Sequence, residues 1–147
     1  MNNYLICVDA SFIVNLINSK SVDSPFIQLW ETWQENSVTI IAPTLFYYEI
    51  TNALYRMNQA DLLSIEEMEG ALQDALHLGI ILYGNSQIPQ LHEMAINLAK
   101  TLKLSAAYDA HYLALSKLLN AEFYTADKRL YNSVKLSLNW VNFISHA

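Results

Sequence analysis

"NYLICVDASFIV", residues 3–14, runs apolar from Tyr4 to Val8, stops at Asp9 and turns apolar again from Phe12. A short, continuous apolar run without polar alternation suits a strand buried on both faces, as in a parallel sheet. The stretch from about Phe12 to Ile17 is helix-like, so Asp9 stands where a strand hands over to a helix. A carboxylate there can cap the helix. It can also serve a ligand, because open parallel sheets bind ligands outside the carboxyl ends of their strands.

The same alternation continues along the chain. Ser24 and Pro25 make an N-cap and first-turn pair, and Phe26, Ile27, Leu29, Trp30 and Trp33 suit one face of an amphipathic helix. "SVTIIAP" (37–43) reads as a second strand stopped by proline. Thr44 is expected to cap the next helix, which carries Leu45, Tyr48, Leu54 and Met57 toward a core. Ser64 and Glu67 match a capping box for a helix ending at Gly79, and "GIILYG" (79–84) is a third, short strand. Helical spacing resumes from Ile88 to about Leu102 and from Ser105 to Leu119. "AEFYTAD" (121–127) is a strand ending in Asp, and "LNWVNFI" (138–144) is a last strand near the sheet edge. This order predicts a single domain over residues 1–147, a three-layer α/β/α sandwich around a mainly parallel sheet.

Composition narrows the function. No apolar run approaches the roughly 20 residues needed to span a bilayer, so no membrane segment is expected. The N-terminus has no basic n-region, so no secretion signal is expected and a cytoplasmic location is. Cys7 is the one cysteine; it sits inside the first apolar run and reads as a buried thiol. A hydrophobic fraction of 53% with nine tyrosines suggests that part of the surface is covered by another copy or another chain. The formal charge of −6 argues against a general nucleic-acid coat, unless some of the 14 acids are neutralised by bound divalent cations. With three glycines and no glycine-rich phosphate cradle, ATP and dinucleotides lose support.

Four acids stand out. Asp9 and Asp127 both follow strands, where an N-cap role alone would explain them. Glu49 shares a helix face with Asn52, Ala53 and Arg56, which is either a solvated stripe or a narrow polar strip between large apolar groups. Asp109 lies one turn beyond a possible cap at Ser105, where the helix dipole favours an acid in any case. Together the four can converge on one cleft at the carboxyl end of the sheet, where they would raise one another's pKa unless a cation lay between them. Oxygen-only ligation selects Mg2+ or Mn2+ over zinc. His77, His92, His111 and His146 show no paired ligand spacing and read as surface or packing residues. A hard cation among carboxylates suits phosphodiester hydrolysis.

Four segments carry a family resemblance: "VDASFIV" (8–14), "APTLFYYEITNAL" (42–54), "AAYDAHYLALS" (106–116) and "FYTADKRL" (123–130). In their order and spacing the chain resembles PIN-domain proteins, and among these it is similar to the small VapC-type ribonuclease toxins. The resemblance implies a PIN-like fold and a Mg2+- or Mn2+-dependent endoribonuclease with Asp9, Glu49, Asp109 and Asp127 as the acidic metal-site residues. It implies support from Ser11, Asn52 and Thr125 by hydrogen bonds or bound water, and a homodimer neutralised by a cognate antitoxin. Arg56, Lys128 and Arg129 are candidate contacts to RNA phosphates, and Tyr108 and Tyr112 could stack on bases or simply pack.

Two other classes compete. A non-catalytic PIN module that holds RNA or a protein partner fits the acidic charge and the apolar surplus. A phospho-accepting receiver domain also places acids at strand ends, but "VDASF" and "YTADK" supply neither its acidic pair nor its late lysine well.

Overall fold

The structure is a computed structural model that describes residues 4–146. Its elements run β1 (Leu5–Val8), α1 (Ala10–Ile17), α2 (Pro25–Glu35), β2 (Thr39–Pro43), α3 (Phe46–Gln59), α4 (Ile65–Leu76), β3 (Ile81–Tyr83), α5 (Leu91–Thr101), α6 (Tyr108–Leu119), β4 (Glu122–Thr125), α7 (Lys128–Val134) and β5 (Val141–Phe143). The strands form one sheet in the order β3-β2-β1-β4-β5, every pairing parallel. Helices cover both faces of this three-layer α/β/α sandwich, so the strands are apolar runs rather than alternating ones. β1 lies at the centre, with Cys7 opposite Ile41 of β2 and Phe123 of β4.

Chain order fixes where the site forms. The sheet reverses direction of growth at β1: the chain builds outward through β2 and β3, then returns to add β4 on the other side. Such a switch point opens a crevice beyond the carboxyl ends of the central strands. Asp9 follows β1, and Asp127 follows β4 by two residues.

Local chemistry accounts for most helix starts. Asp9 caps α1 by accepting from Phe12 N, Ser24 caps α2 ahead of Pro25, and Ser64 with Glu67 forms a reciprocal capping box on α4. α1 then buries Phe12, Ile13 and Leu16. Phe12 packs edge-on to Phe26 at 5.2 Å and stacks on Trp33 at 5.3 Å, ring contacts that add about 0.5–1.5 kcal/mol each beyond the buried area. α6 is almost engulfed: it packs on α5, β1, β2 and β4, and Tyr112 through Ser116 are all buried. The hydroxyl of Ser116, at the end of that run, is satisfied by donating to Tyr112 O at 2.8 Å.

Several sequence expectations need correction. Thr44 does not cap α3; its N–H pairs with Tyr83 O and still belongs to the sheet, so the helix starts after Leu45 without a side-chain cap. Tyr48 points outward, 80% exposed, while Phe46, Ile50 and Leu54 carry α3 into the core. α6 begins at Tyr108 rather than Ser105, behind Ala107, with no side-chain cap. α4 stops at Leu76, and Gly79, with φ +78°, serves the link to β3 rather than the helix end. α7, Lys128–Val134, is the helix that an N-cap role for Asp127 implies, though the sequence sets no bounds for it.

Cys7 is fully buried against α6, and burial pushes its thiol up to about 12, leaving it chemically quiet. Among the described residues no helix is long and apolar enough to cross a membrane.

Candidate active site

Asp9, Glu49, Asp109 and Asp127 line one cavity of about 220 Å3, together with Ser11, Asn52 and Tyr112. Each acid is delivered by an element end. Asp9 and Asp127 are the caps of α1 and α7, while Glu49 and Asp109 occupy the first turns of α3 and α6. The capping and cleft roles left open by the sequence therefore coincide in both aspartates: the oxygen that holds the helix N-terminus belongs to a carboxylate that faces the cavity.

Asp9 is the most constrained. It is 6% exposed; Oδ1 accepts from Ser11 Oγ at 2.6 Å and from Phe12 N at 3.0 Å, and Oδ2 accepts from Thr125 Oγ1 at 2.5 Å. An ionised carboxylate has about four acceptor positions, so three bonds to protein leave room for one more partner. Both hydroxyls are themselves held: Ser11 Oγ accepts from Ala126 N at 2.9 Å, and Thr125 Oγ1 accepts from Asp127 N at 3.0 Å. This network staples the end of β1 to the segment after β4.

Glu49 has its own orienting partner, the Tyr112 hydroxyl, which donates to Oε1 at 2.5 Å. Of the two uses the sequence allows Tyr112, stacking on bases or packing, the structure takes the second. Tyr112 is 1% exposed, so its ring packs and only its hydroxyl reaches the cavity. The signal for that role is its spacing: Asp109 and Tyr112 stand three apart on α6 and share a face.

Charge in the cavity is unfavourable as it stands. Burial pushes Asp9 up to about 6; the hydrogen bonds from Ser11, Thr125 and Phe12 N oppose this, and the Asp109 charge adds to it. Glu49 is raised by burial and by Asp109, against the hydrogen bond from Tyr112. Asp109 is raised by burial and then by Asp127. Each of these shifts is one that a cation among the carboxylates would reverse. The donor set is all oxygen, which suits a hard divalent ion. Among the described residues, no three His, Cys, Asp or Glu side chains form a group close enough to hold an ion outright. Water would have to complete the shell, as is usual for Mg2+.

The cationic candidates are placed differently. Arg56 is exposed on α3 and does not line the acidic cavity; Lys128 lies with Arg129 beside a shallow hollow on α7. Arg129 also borders a second cavity adjoining the acids. Tyr108 is 68% exposed. His92 Nδ1 and His111 Nε2 lie 2.9 Å apart across the α5–α6 contact, a pairing hidden by their separation of 19 residues.

The fold and site together define a parallel α/β sandwich with four carboxylates gathered at the switch point of its sheet. The match of the PIN domain family model to residues 6–135 places the chain more narrowly: it belongs to the PIN domain family. Among solved structures, PAE2754 from Pyrobaculum aerophilum is similar over 95% of this chain and 83% of its own, at 19% identity and a TM-score of 0.66. VapC20 from Mycobacterium tuberculosis, described as a sarcin–ricin loop cleaving toxin, is similar over 90% of this chain and 95% of its own, at 15% identity and a TM-score of 0.62. At these identities the likeness is one of fold. No curated protein sequence matches the chain.

Proposed function

We propose that this PIN domain is a Mg2+- or Mn2+-dependent endoribonuclease that hydrolyses RNA phosphodiester bonds, and that it is the toxin of a toxin–antitoxin pair. The observation that carries the reading is the shared cavity of Asp9, Glu49, Asp109 and Asp127, where Asp9 is buried and pushed up to about 6. PIN domains are typically nucleases, and the similarity to VapC20 favours the toxin role.

In this reading Asp9, Glu49, Asp109 and Asp127 hold the cation. When bound, it supplies an activated water and neutralises charge on the phosphate. Ser11 and Thr125 fix both oxygens of Asp9, and Tyr112 fixes Glu49, so the carboxylates are aimed before an ion arrives. Asn52 offers the cavity a neutral amide for substrate or bound water. The protein works in the cytoplasm as a homodimer, with an antitoxin as partner. Exposed Tyr48 and Tyr55 on α3, Leu62 in the turn that follows and Ile65 at the start of α4 favour some such protein contact.

Incubating purified protein with RNA and Mn2+ tests the reading. Cleavage is expected, and it should vanish with EDTA or in Asp9→Asn. RNA that is bound yet never cut would favour a non-catalytic PIN module. Cleavage that survives both changes would remove the four-acid mechanism. Rescue of growth by co-expressing a candidate antitoxin tests the toxin role separately.

A further inference from the structure

Asp109 and Asp127 line a second cavity as well as the first. This neighbour, of about 250 Å3, lies between the turn after α5 and α7, and its other polar side chains are Lys103, Ser105, Arg129 and Ser133. The two cavities therefore adjoin at Asp109 and Asp127, the first lined by acids and the second by Lys103 and Arg129 as well. Lys103 and Arg129 are both exposed, and among the described residues neither side chain is engaged in a hydrogen bond or ion pair. Asp127 borders the same cavity, where its Oδ1 accepts from Leu130 N at 3.1 Å, yet neither cation is bonded to it. Two unpaired cations beside a carboxylate cluster are placed to receive an anion brought in by the ligand.

We propose that the basic end is a phosphate subsite: Lys103 and Arg129 grip a backbone phosphate of single-stranded RNA next to the bond held at the four acids, with Ser105 as a hydroxyl donor. This rests on the ribonuclease reading. The opposite rim of the acidic cavity carries Glu49 and Asn52, and among the described residues no Lys or Arg lines it. The strand is thus gripped on one side of the cleavage position only, which gives the site a polarity. Phosphate grips of this kind set register rather than sequence preference.

Lys103 offers a clean test because of its backbone. It sits at φ +56° in the turn that closes α5, with Leu104 N bonded to Ala99 O at 2.9 Å and Lys103 N to Lys100 O at 3.3 Å. That is the left-handed position glycine fills at least cost. Lys103→Gly should therefore delete the ammonium without lowering the melting temperature.

Binding of a fluorescein-labelled, random-sequence RNA of about ten nucleotides, and of DNA of the same length, would be followed by anisotropy across a salt series. An Asp9→Asn background with Mg2+ present keeps the RNA intact. Lys103→Gly with Arg129→Ser should weaken both ligands by about tenfold or more, and the slope of log K against log salt should fall by about 0.7 for each phosphate no longer gripped. Lys117→Ala, a charge removed at the far end of α6, is the control. An unchanged affinity and slope, or a weakening matched by Lys117→Ala, overturns the subsite. A weakening confined to RNA overturns the phosphate assignment, since DNA carries the same phosphates. Failure of the wild-type protein to cut RNA would sink the ribonuclease reading instead, and the anisotropy data would still decide whether the basic end binds phosphate.

Discussion

Thr125 Oγ1 lies 2.5 Å from Oδ2 of Asp9, a residue 116 positions earlier in the chain, and Ser11 Oγ touches both, at 2.6 Å from Asp9 Oδ1 and 3.2 Å from Thr125 Oγ1. Thr125 is fully buried and also accepts from Asp127 N. Thr125→Val strips a donor from Asp9 and an acceptor from Asp127 at once, at a cost of about 1–3 kcal/mol. Thermal melting should show a drop of about 2–4 °C per kcal/mol, with reduced cleavage, while Thr125→Ser should retain most of both. A valine variant as stable and active as wild type would show the hydroxyl to be idle.

The raised Asp9 carboxyl makes the metal-free protein sensitive to pH. With its pKa near 6 when folded, against 3.8 ordinarily, Asp9 holds its proton more tightly in the folded chain. The resulting stability is whole below the ordinary value and is lost as pH rises through about 6, an effect on the order of 3 kcal/mol. Glu49 and Asp109 are raised too and push the same way. Denaturant melts in EDTA should show wild-type stability falling between about pH 4 and pH 7, with a shallower fall in Asp9→Asn. Parallel curves for the two proteins would contradict the burial argument.

Added Mg2+ or Mn2+ should raise the melting temperature above pH 6, because an ion bound only by the folded state stabilises it by about 2.7 kcal/mol at a hundredfold excess over Kd. Asp9→Asn should blunt the response. Melting that ignores millimolar Mg2+ and Mn2+ alike would leave the carboxylates without the proposed cation.

Tyr112→Phe removes the hydroxyl that aims Glu49 and leaves the buried ring in place. Without that bond Glu49 rises further, since the bond now lowers it. More Mn2+ should be needed for half-maximal cleavage, with a stability change of about 1 kcal/mol. A metal requirement identical to wild type would reduce Tyr112 to a packing residue.

The sheet is the most legible part of the molecule. Uninterrupted runs such as "YLICV" and "VTIIAP" have few other uses, and Ser24–Pro25 and Ser64–Glu67 mark their helix starts by local chemistry alone. Thr44 and Ser105 mislead because a hydroxyl near a helix start is a cap only if its backbone is free to turn, and Thr44 is still hydrogen-bonded to β3. Tyr48 misleads because residue type says nothing of phase: Phe46, Ile50 and Leu54 hold the inward positions of α3. The four acids are legible as members of a set, whereas the Tyr112–Glu49 bond and the junction of the two cavities are not. These depend on α3, α5, α6 and α7 meeting in space, and no periodicity within one segment encodes that.

The parallel pairing of β1 with β4 also has a temporal consequence. Cys7 lies beside Phe123 in the sheet, as far along the chain as Asp9 is from Thr125, and pairings that close so long a loop are slow to form. A nascent chain leaving the ribosome has made Asp9, Glu49 and Asp109 before Asp127, so the four-acid cavity cannot exist until synthesis has passed β4. Premature termination anywhere upstream of that strand yields a chain without the last of the four carboxylates, and no such fragment can close the cavity.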